Sequence, residues 1–258
     1  MNNQKIIKAL EQLAPLNLAE SWDNPGFQIG RSEHEVNSVY LALDATDEVI
    51  DSALSHKADM LITHHPLIFS EIKSVIDNNF IGRRIIKLIE GKINYYAMHT
   101  NFDVTVMAKH AASLLELHQC QILKPGELPA EFGIGCTGLL KEPMSLKDCG
   151  EWVKKVFCIP NLKIYGDLNA KVQSISVSPG SGKGMSEAAI RQKADVLITG
   201  DVGHHEGIDA IAQGIFIIDA GHHGIEHIFV DYMKTFFEKN WSQIKVYTEA
   251  NISPFTVI

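Results

Sequence analysis

One strand-and-loop pattern is written twice in this chain. Lys57-Ala58-Asp59-Met60-Leu61-Ile62-Thr63 returns as Lys193-Ala194-Asp195-Val196-Leu197-Ile198-Thr199, and Ala97-x-His99-x-x-x-Asp103 returns, in the same order, as Ala220-x-His222-x-x-x-Glu226. One match is within the reach of chance, whereas two ordered matches point to an internal duplication. The first copy closes its strand on His64-His65 and the second on Gly200-Asp201. Two related halves are therefore expected, with metal-ligand residue types at equivalent strand ends and a site assembled between them.

A chain of 258 residues can build two modest domains, each with its own core. The halves are expected at residues 1–124 and 125–258, with Pro125 to Pro129 as the boundary and the final segment, Gln243 to Ile258, as a candidate to pack back on the first half. A hydrophobic fraction of 45% and a charged fraction of 21% are ordinary for a soluble globular protein. The formal net charge of -8 disfavours a surface made for phosphate backbones, so nucleic acid is not an expected partner. Cys120, Cys136, Cys149 and Cys158 form no C-x-x-C pair, and Met1 to Leu10 lacks the apolar core of an export signal, which predicts a reduced, cytoplasmic protein. No apolar run approaches the roughly 18 residues needed to cross a bilayer.

Strand and helix patterns alternate. An amphipathic Lys5 to Leu13 leads into the turn-rich Ser21-Trp22-Asp23-Asn24-Pro25-Gly26. Val39 to Leu43, Met60 to Thr63 and Ile93 to Met98 read as strands, separated by helices over Glu48 to His56 and Phe80 to Glu90. The second copy has strands at Val172 to Val177, Val196 to Thr199 and Ile215 to Asp219, with helices at Met185 to Lys193 and Gly207 to Ala212. A strand-like Gly135 to Leu140 and a Ser145-capped helix to Val156 precede it. The pattern predicts an α/β fold of two similar halves, with mainly parallel or mixed sheets flanked by helices.

Open parallel sheets bind ligands beyond the carboxyl ends of their strands. His64 and His65, His99 and Asp103, Asp201 and His205, and His222 and Glu226 all fall at such ends. Neutral imidazoles suit zinc, iron or manganese, and a carboxylate can bridge two ions, so this group can fill a two-metal site. His64 and His65 face opposite ways if they continue a strand, unless the loop turns one of them; Pro66 favours extended backbone at His65. A spacing of four puts both members of His222/Glu226, and of His99/Asp103, on one side of a helix. His34, His56, His110 and His118 have no acidic partner at useful spacing. Of His204, His205, His223 and His227, which adjoin candidate ligands, His205 is chosen as a functional group. Ser178 to Gly184 resembles a phosphate loop, but Val177 stands at the first glycine position and Gly184 replaces the magnesium-binding hydroxyl residue, leaving a tight turn whose N–H groups and Lys183 offer an anion contact.

Trp22-Asp23-Asn24-Pro25-Gly26-Phe27-Gln28-Ile29-Gly30, Thr63-His64-His65-Pro66, His99-Thr100-Asn101-Phe102-Asp103, Thr199-Gly200-Asp201 with His205, and Gly221-His222-His223-Gly224-Ile225-Glu226 resemble, in order and over nearly the whole chain, the motifs of the GTP cyclohydrolase I type 2 family of Nif-three-like proteins, in its short bacterial form. That resemblance implies a dinuclear divalent-metal centre with His64, His65, Asp103, His222 and Glu226 as ligands and Glu226 as bridge. It further implies two similar α/β halves, a toroidal homohexamer, and opening of the guanine imidazole ring of GTP with loss of formate. On this reading two ions activate water for hydrolysis of a small-molecule, nucleotide-type substrate, His99 and His205 are second-shell or proton-transfer groups, and Asp23 or Asn24 approaches the substrate. The alternatives are a phosphoesterase or amidohydrolase on another substrate, and a metal-binding or metal-delivery protein without turnover.

Overall fold

The computed structural model describes residues 1–126 and 131–256. Its strands are, in chain order, β1 (Gly26–Ile29), β2 (Ser38–Ala42), β3 (Met60–Thr63), β4 (Asn94–Ala97), β5 (His118–Pro125), β6 (Gly133–Ser145), β7 (Lys163–Tyr165), β8 (Lys171–Val177), β9 (Val196–Thr199), β10 (Phe216–Asp219) and β11 (Lys245–Thr248). They form two sheets flanked by helices, of order β1-β4-β3-β2-β11 and β5-β6-β8-β9-β10-β7. In the first, β11, β2, β3 and β4 run parallel and β1 pairs antiparallel with β4. In the second, β8, β9 and β10 run parallel, while β5, β6 and β7 supply antiparallel partners. The mixed α/β architecture expected from the sequence is present.

The central strands form because their residues are apolar without interruption and helices cover both faces. All four residues of β3 and all four of β9 are buried. Leu61, Tyr95, Ile50, Ile85 and Leu88 belong to one core cluster, and Leu197, Ile217, Ala188, Ala189 and Ile215 to another. Three helices start where an oxygen side chain takes an orphan N–H. Thr46 accepts from Val49, Asn79 from Gly82, and Ser145 from Asp148.

By contacts the chain divides into a unit of Met1–Phe102 with Phe229–Ala250 and a unit of Asp103–Ile228 with Asn251–Ile258. A cut between 124 and 125 differs from this in three ways. Asp103, expected in the first half, lies in the second unit; β5 pairs with β6 and so belongs there too; and the helix Ile228–Asn240 lies mostly in the first unit. β11, within the final segment named as a candidate to pack back on the first half, pairs with β2. The expected boundary at Pro125 to Pro129 falls mostly on residues 127–130, outside the described residues.

The repeated Lys-Ala-Asp has the same job in both copies. Lys57 and Lys193 take left-handed backbone, at φ 53° and 56°, and turn the chain off the helix before them. The N–H of Ala58 donates to Ala53 and that of Ala194 to Ala189, each at 3.0 Å. Asp59 then accepts the N–H groups of Asn37 and Ser38 at 2.8 and 3.0 Å, and Asp195 those of Gln173 and Ser174, both at 2.8 Å. In each unit one carboxylate thus fixes the neighbouring strand just before its parallel pairing begins. Asp59→Ala and Asp195→Ala are each expected to cost about 2 kcal/mol, a fall of about 4–8 °C in Tm, with Asn recovering part of it. Thermal melts check this, and an alanine variant that melts with the parent chain contradicts it.

Candidate functional site

In the first unit, β3 stops at Thr63 and a buried polar knot turns the loop that follows. The Thr63 and Tyr95 hydroxyls lie 2.7 and 3.0 Å from the His65 carbonyl, and the Leu67 N–H donates to the Tyr95 oxygen at 2.8 Å. Burial raises the Tyr95 phenol well above its ordinary value, so it stays protonated at this knot. The turn brings the His64 and His65 rings together, with centroids 4.9 Å apart, rather than to opposite faces. Strand alternation ends with the strand. His99, just past β4, joins them at 5.3 Å from His64 and 5.5 Å from His65. One ring nitrogen from each of the three lies within 4.8 Å of the others, a group that could hold a metal ion.

Each of these imidazoles is held from behind. His64, fully buried, places Nδ1 2.7 Å from the Met98 carbonyl. His65 Nδ1 is 2.8 Å from Asp44 Oδ1, and His99 Nδ1 is 2.7 Å from Asp23 Oδ1. An Nδ1–H committed to an oxygen makes Nε2 the lone-pair nitrogen, which is how proteins orient metal-binding histidines. Asp23 also accepts from the N–H and hydroxyl of Thr100. Burial works to raise its carboxyl, but the hydrogen bonds from His99 and Thr100 and the attraction of His99 hold it below the usual value. Asn24, whose amide donates to the Ile68 carbonyl at 2.6 Å, is likewise engaged within the protein. Both residues help to hold these loops in place.

In the second unit, β10 ends at Asp219, and Gly221, at φ 73°, leads into the short helix His222–Glu226. The i to i+4 spacing puts His222 Nε2 2.9 Å from Glu226 Oε2, while His222 Nδ1 is 3.0 Å from Asp201 Oδ2. Glu226 is only 3% exposed. Asp103 opens a π-helical stretch, Asp103–Met107, and one of its carboxylate oxygens lies within 4.8 Å of one from Glu226. Two carboxylates so close repel each other, and a divalent cation offsets that repulsion. Gly180, at φ 85°, makes room: a Cβ there would sit 2.7 Å from Glu226 Oε1. A Cβ on Gly182 would sit 1.9 Å from Thr199 Oγ1, so these loop glycines allow close packing. His205 lies exposed on the helix His204–Ala212, its ring 5.3 Å from that of His204, outside the donor groups found among the described residues. Oxygen-anchored imidazoles, a buried carboxylate and a half-buried one are donor types that fit zinc, iron or manganese.

The sequence matches the model of Duf34/NIF3 (NGG1p interacting factor 3) over residues 1–254. The chain belongs to the DUF34/NIF3 family. Among curated relatives it is 36% identical over 224 residues to a GTP cyclohydrolase 1 type 2 homolog of Clostridium acetobutylicum, covering 86% of this chain and 84% of that one. It is 34% identical to a protein of the same name from Clostridium perfringens, covering 88% and 87%. Among solved structures, a hypothetical protein of Staphylococcus aureus, SA1388, superposes with a TM-score of 0.90 at 29% identity, covering 100% of this chain and 99% of that one. Reduced HcgD from Methanocaldococcus jannaschii gives 0.82 at 29% identity, covering 96% and 97%.

Three features of this DUF34/NIF3 chain escaped the sequence reading. Asp44 carries no motif signal, although it stands two residues past β2, at a strand end of the kind that binds ligands. A cavity of about 640 Å³ in the second unit is lined by Asp201, Gly221, His223, Lys163 and Asn251 among others, and Lys163 Nζ is 2.7 Å from the buried Asp219. Glu249, just past β11, accepts from the Leu43 N–H; burial pushes its carboxyl up to about 7, reinforced by Asp44 and opposed by the Leu43 hydrogen bond and by His65. Between about pH 4.5 and 7 the folded chain keeps a proton on Glu249 that the unfolded chain releases, so stability falls with rising pH across that window and levels off above it. In chelator-treated protein, Glu249→Gln should leave Tm unchanged below the window and raise it by about 2–4 °C above, roughly 1 kcal/mol. A Tm difference independent of pH contradicts this.

Proposed function

We propose that this chain is a hydrolase dependent on two divalent cations, zinc, iron or manganese, with His64, His65, Asp103, His222 and Glu226 as ligands and Glu226 as the bridge. The observation that carries the reading is the anchoring of His64, His65, His99 and His222 through Nδ1 to an oxygen, at 2.7 to 3.0 Å. Three of them, His64, His65 and His99, also bring ring nitrogens within 4.8 Å of one another, which histidines kept for packing alone need not do. Bound divalent cations lower the pKa of water toward neutrality and polarise the bond under attack. Asp44 and Asp201 orient the ligand rings of His65 and His222, and Asp23 orients His99, the proposed proton carrier together with His205.

The names of the curated relatives and the motif resemblance support opening of the imidazole ring of GTP with release of formate as the reaction. A toroidal homohexamer in a reducing cytoplasm is part of the same proposal. Among the described residues no helix is long and apolar enough to cross a membrane.

Protein loaded with each metal in turn should release formate from GTP. Glu226→Ala should lose stoichiometric metal, and His99→Ala should slow turnover by about 100-fold. Phosphate release from a phosphodiester panel, with no formate, would reassign the reaction to phosphoester hydrolysis. Ready metal exchange with no turnover of any substrate would overturn the hydrolase reading in favour of metal delivery, and full metal retention in Glu226→Ala would remove the bridge.

A further inference from the structure

We propose that Trp22 and Phe69 form a stacking platform that receives a planar heteroaromatic ring, of purine type, beside the imidazoles of His64, His65 and His99. Both aromatic side chains belong to the first unit and are half in water, 57% and 49% exposed. Their ring centroids are 5.9 Å apart at 48°, which makes an open corner rather than a closed stack. His99 forms the floor of that corner, edge-on to Trp22 at 6.1 Å and to Phe69 at 6.3 Å. It is the same His99 whose ring nitrogen gathers with those of His64 and His65. A flat ring laid on the corner lies next to the candidate metal donors.

The corner is built, because each aromatic is tied down at the adjacent residue. Asp23, beside Trp22, is held by His99 and by the N–H and hydroxyl of Thr100. Ile68, beside Phe69, has its carbonyl bonded by the amides of Asn24 and Gln28 at 2.6 and 2.9 Å, and its N–H donates to Gln28 Oε1 at 3.0 Å. The loop that carries Trp22 is thereby stitched to the loop that carries Phe69. Exposing two large apolar rings runs against burial, and holding them rigid lowers the entropy lost when a ligand ring stacks. Aromatic faces recognise the π-face of any base, and the two rings carry no charge that would select a phosphate.

This deepens the proposed function and rests on it for the chemistry next to the platform, while stacking itself needs no metal. The test titrates chelator-treated protein by calorimetry with GMP and with ribose 5-phosphate, which lacks the base, and measures metal content separately in reloaded samples. GMP should bind at least about tenfold more tightly than ribose 5-phosphate. Trp22→Ala and Phe69→Ala should each abolish that preference, leaving metal content at the parent level, and Trp22→Phe should restore most of it. The proposal is overturned if GMP shows no saturable binding, if both variants keep the preference, or if they alter only the oligomeric state, which would make the corner a contact with a second copy of the chain. Loss of metal by the parent chain with the GMP preference intact would count against the metal reading alone.

Discussion

An imidazole can offer one nitrogen to a ligand in a defined direction only if the other is committed to the protein, and His64, His65, His99 and His222 meet that condition. The Met98 carbonyl, Asp44, Asp23 and Asp201 stand behind His64, His65, His99 and His222. In each unit an acid past the end of one parallel strand grips a histidine past the end of the next: Asp44 after β2 holds His65 after β3, and Asp201 after β9 holds His222 after β10. The device recurs one strand out of step with the duplicated sequence, since β3 and β9 are the strands that match. Parallel pairing supplies the short distance between neighbouring strand ends that the device requires.

What was legible in the sequence follows from the same geometry. Met60–Thr63 and Val196–Thr199 announced themselves as strands because burial on both faces demands unbroken apolar runs, and these bounds match the structure. The His222/Glu226 pair was readable because one helical turn places residues four apart together. The strands at β1, β5, β7 and β11 were not readable. β5 is mostly exposed and alternates poorly, β7 has only three residues, and β11, as short as β3 and β9, is partly exposed throughout and lacks their unbroken apolar run. Glu249 reaches Leu43 across 206 residues, a contact that no local pattern encodes. His99 is legible as a group that steadies the ligands or transfers protons, whereas its grouping with His64 and His65 depends on a loop turn set by Thr63 and Tyr95.

The two donor sets differ in character, and the difference has chemical consequences. The first unit holds three imidazoles beside a buried polar knot, whereas the second holds the nearly buried Glu226 with Asp103 and His222 close to it. Imidazoles alone leave a dication's charge uncompensated, and carboxylates alone repel one another. The proposed ligand set draws on both kinds, which would balance these costs. The glycine-rich loop fits the same account, since Gly180 lets backbone lie where a side chain would strike Glu226.

Anomalous diffraction from crystals of protein supplied with zinc, iron and manganese tests the central claim most directly. The account predicts two anomalous peaks per chain, ligated by His64, His65, Asp103, His222 and Glu226, with every histidine bound through Nε2 and its Nδ1 still on the oxygen behind it. Solvent alone at these side chains, or histidines ligating through Nδ1, would contradict it.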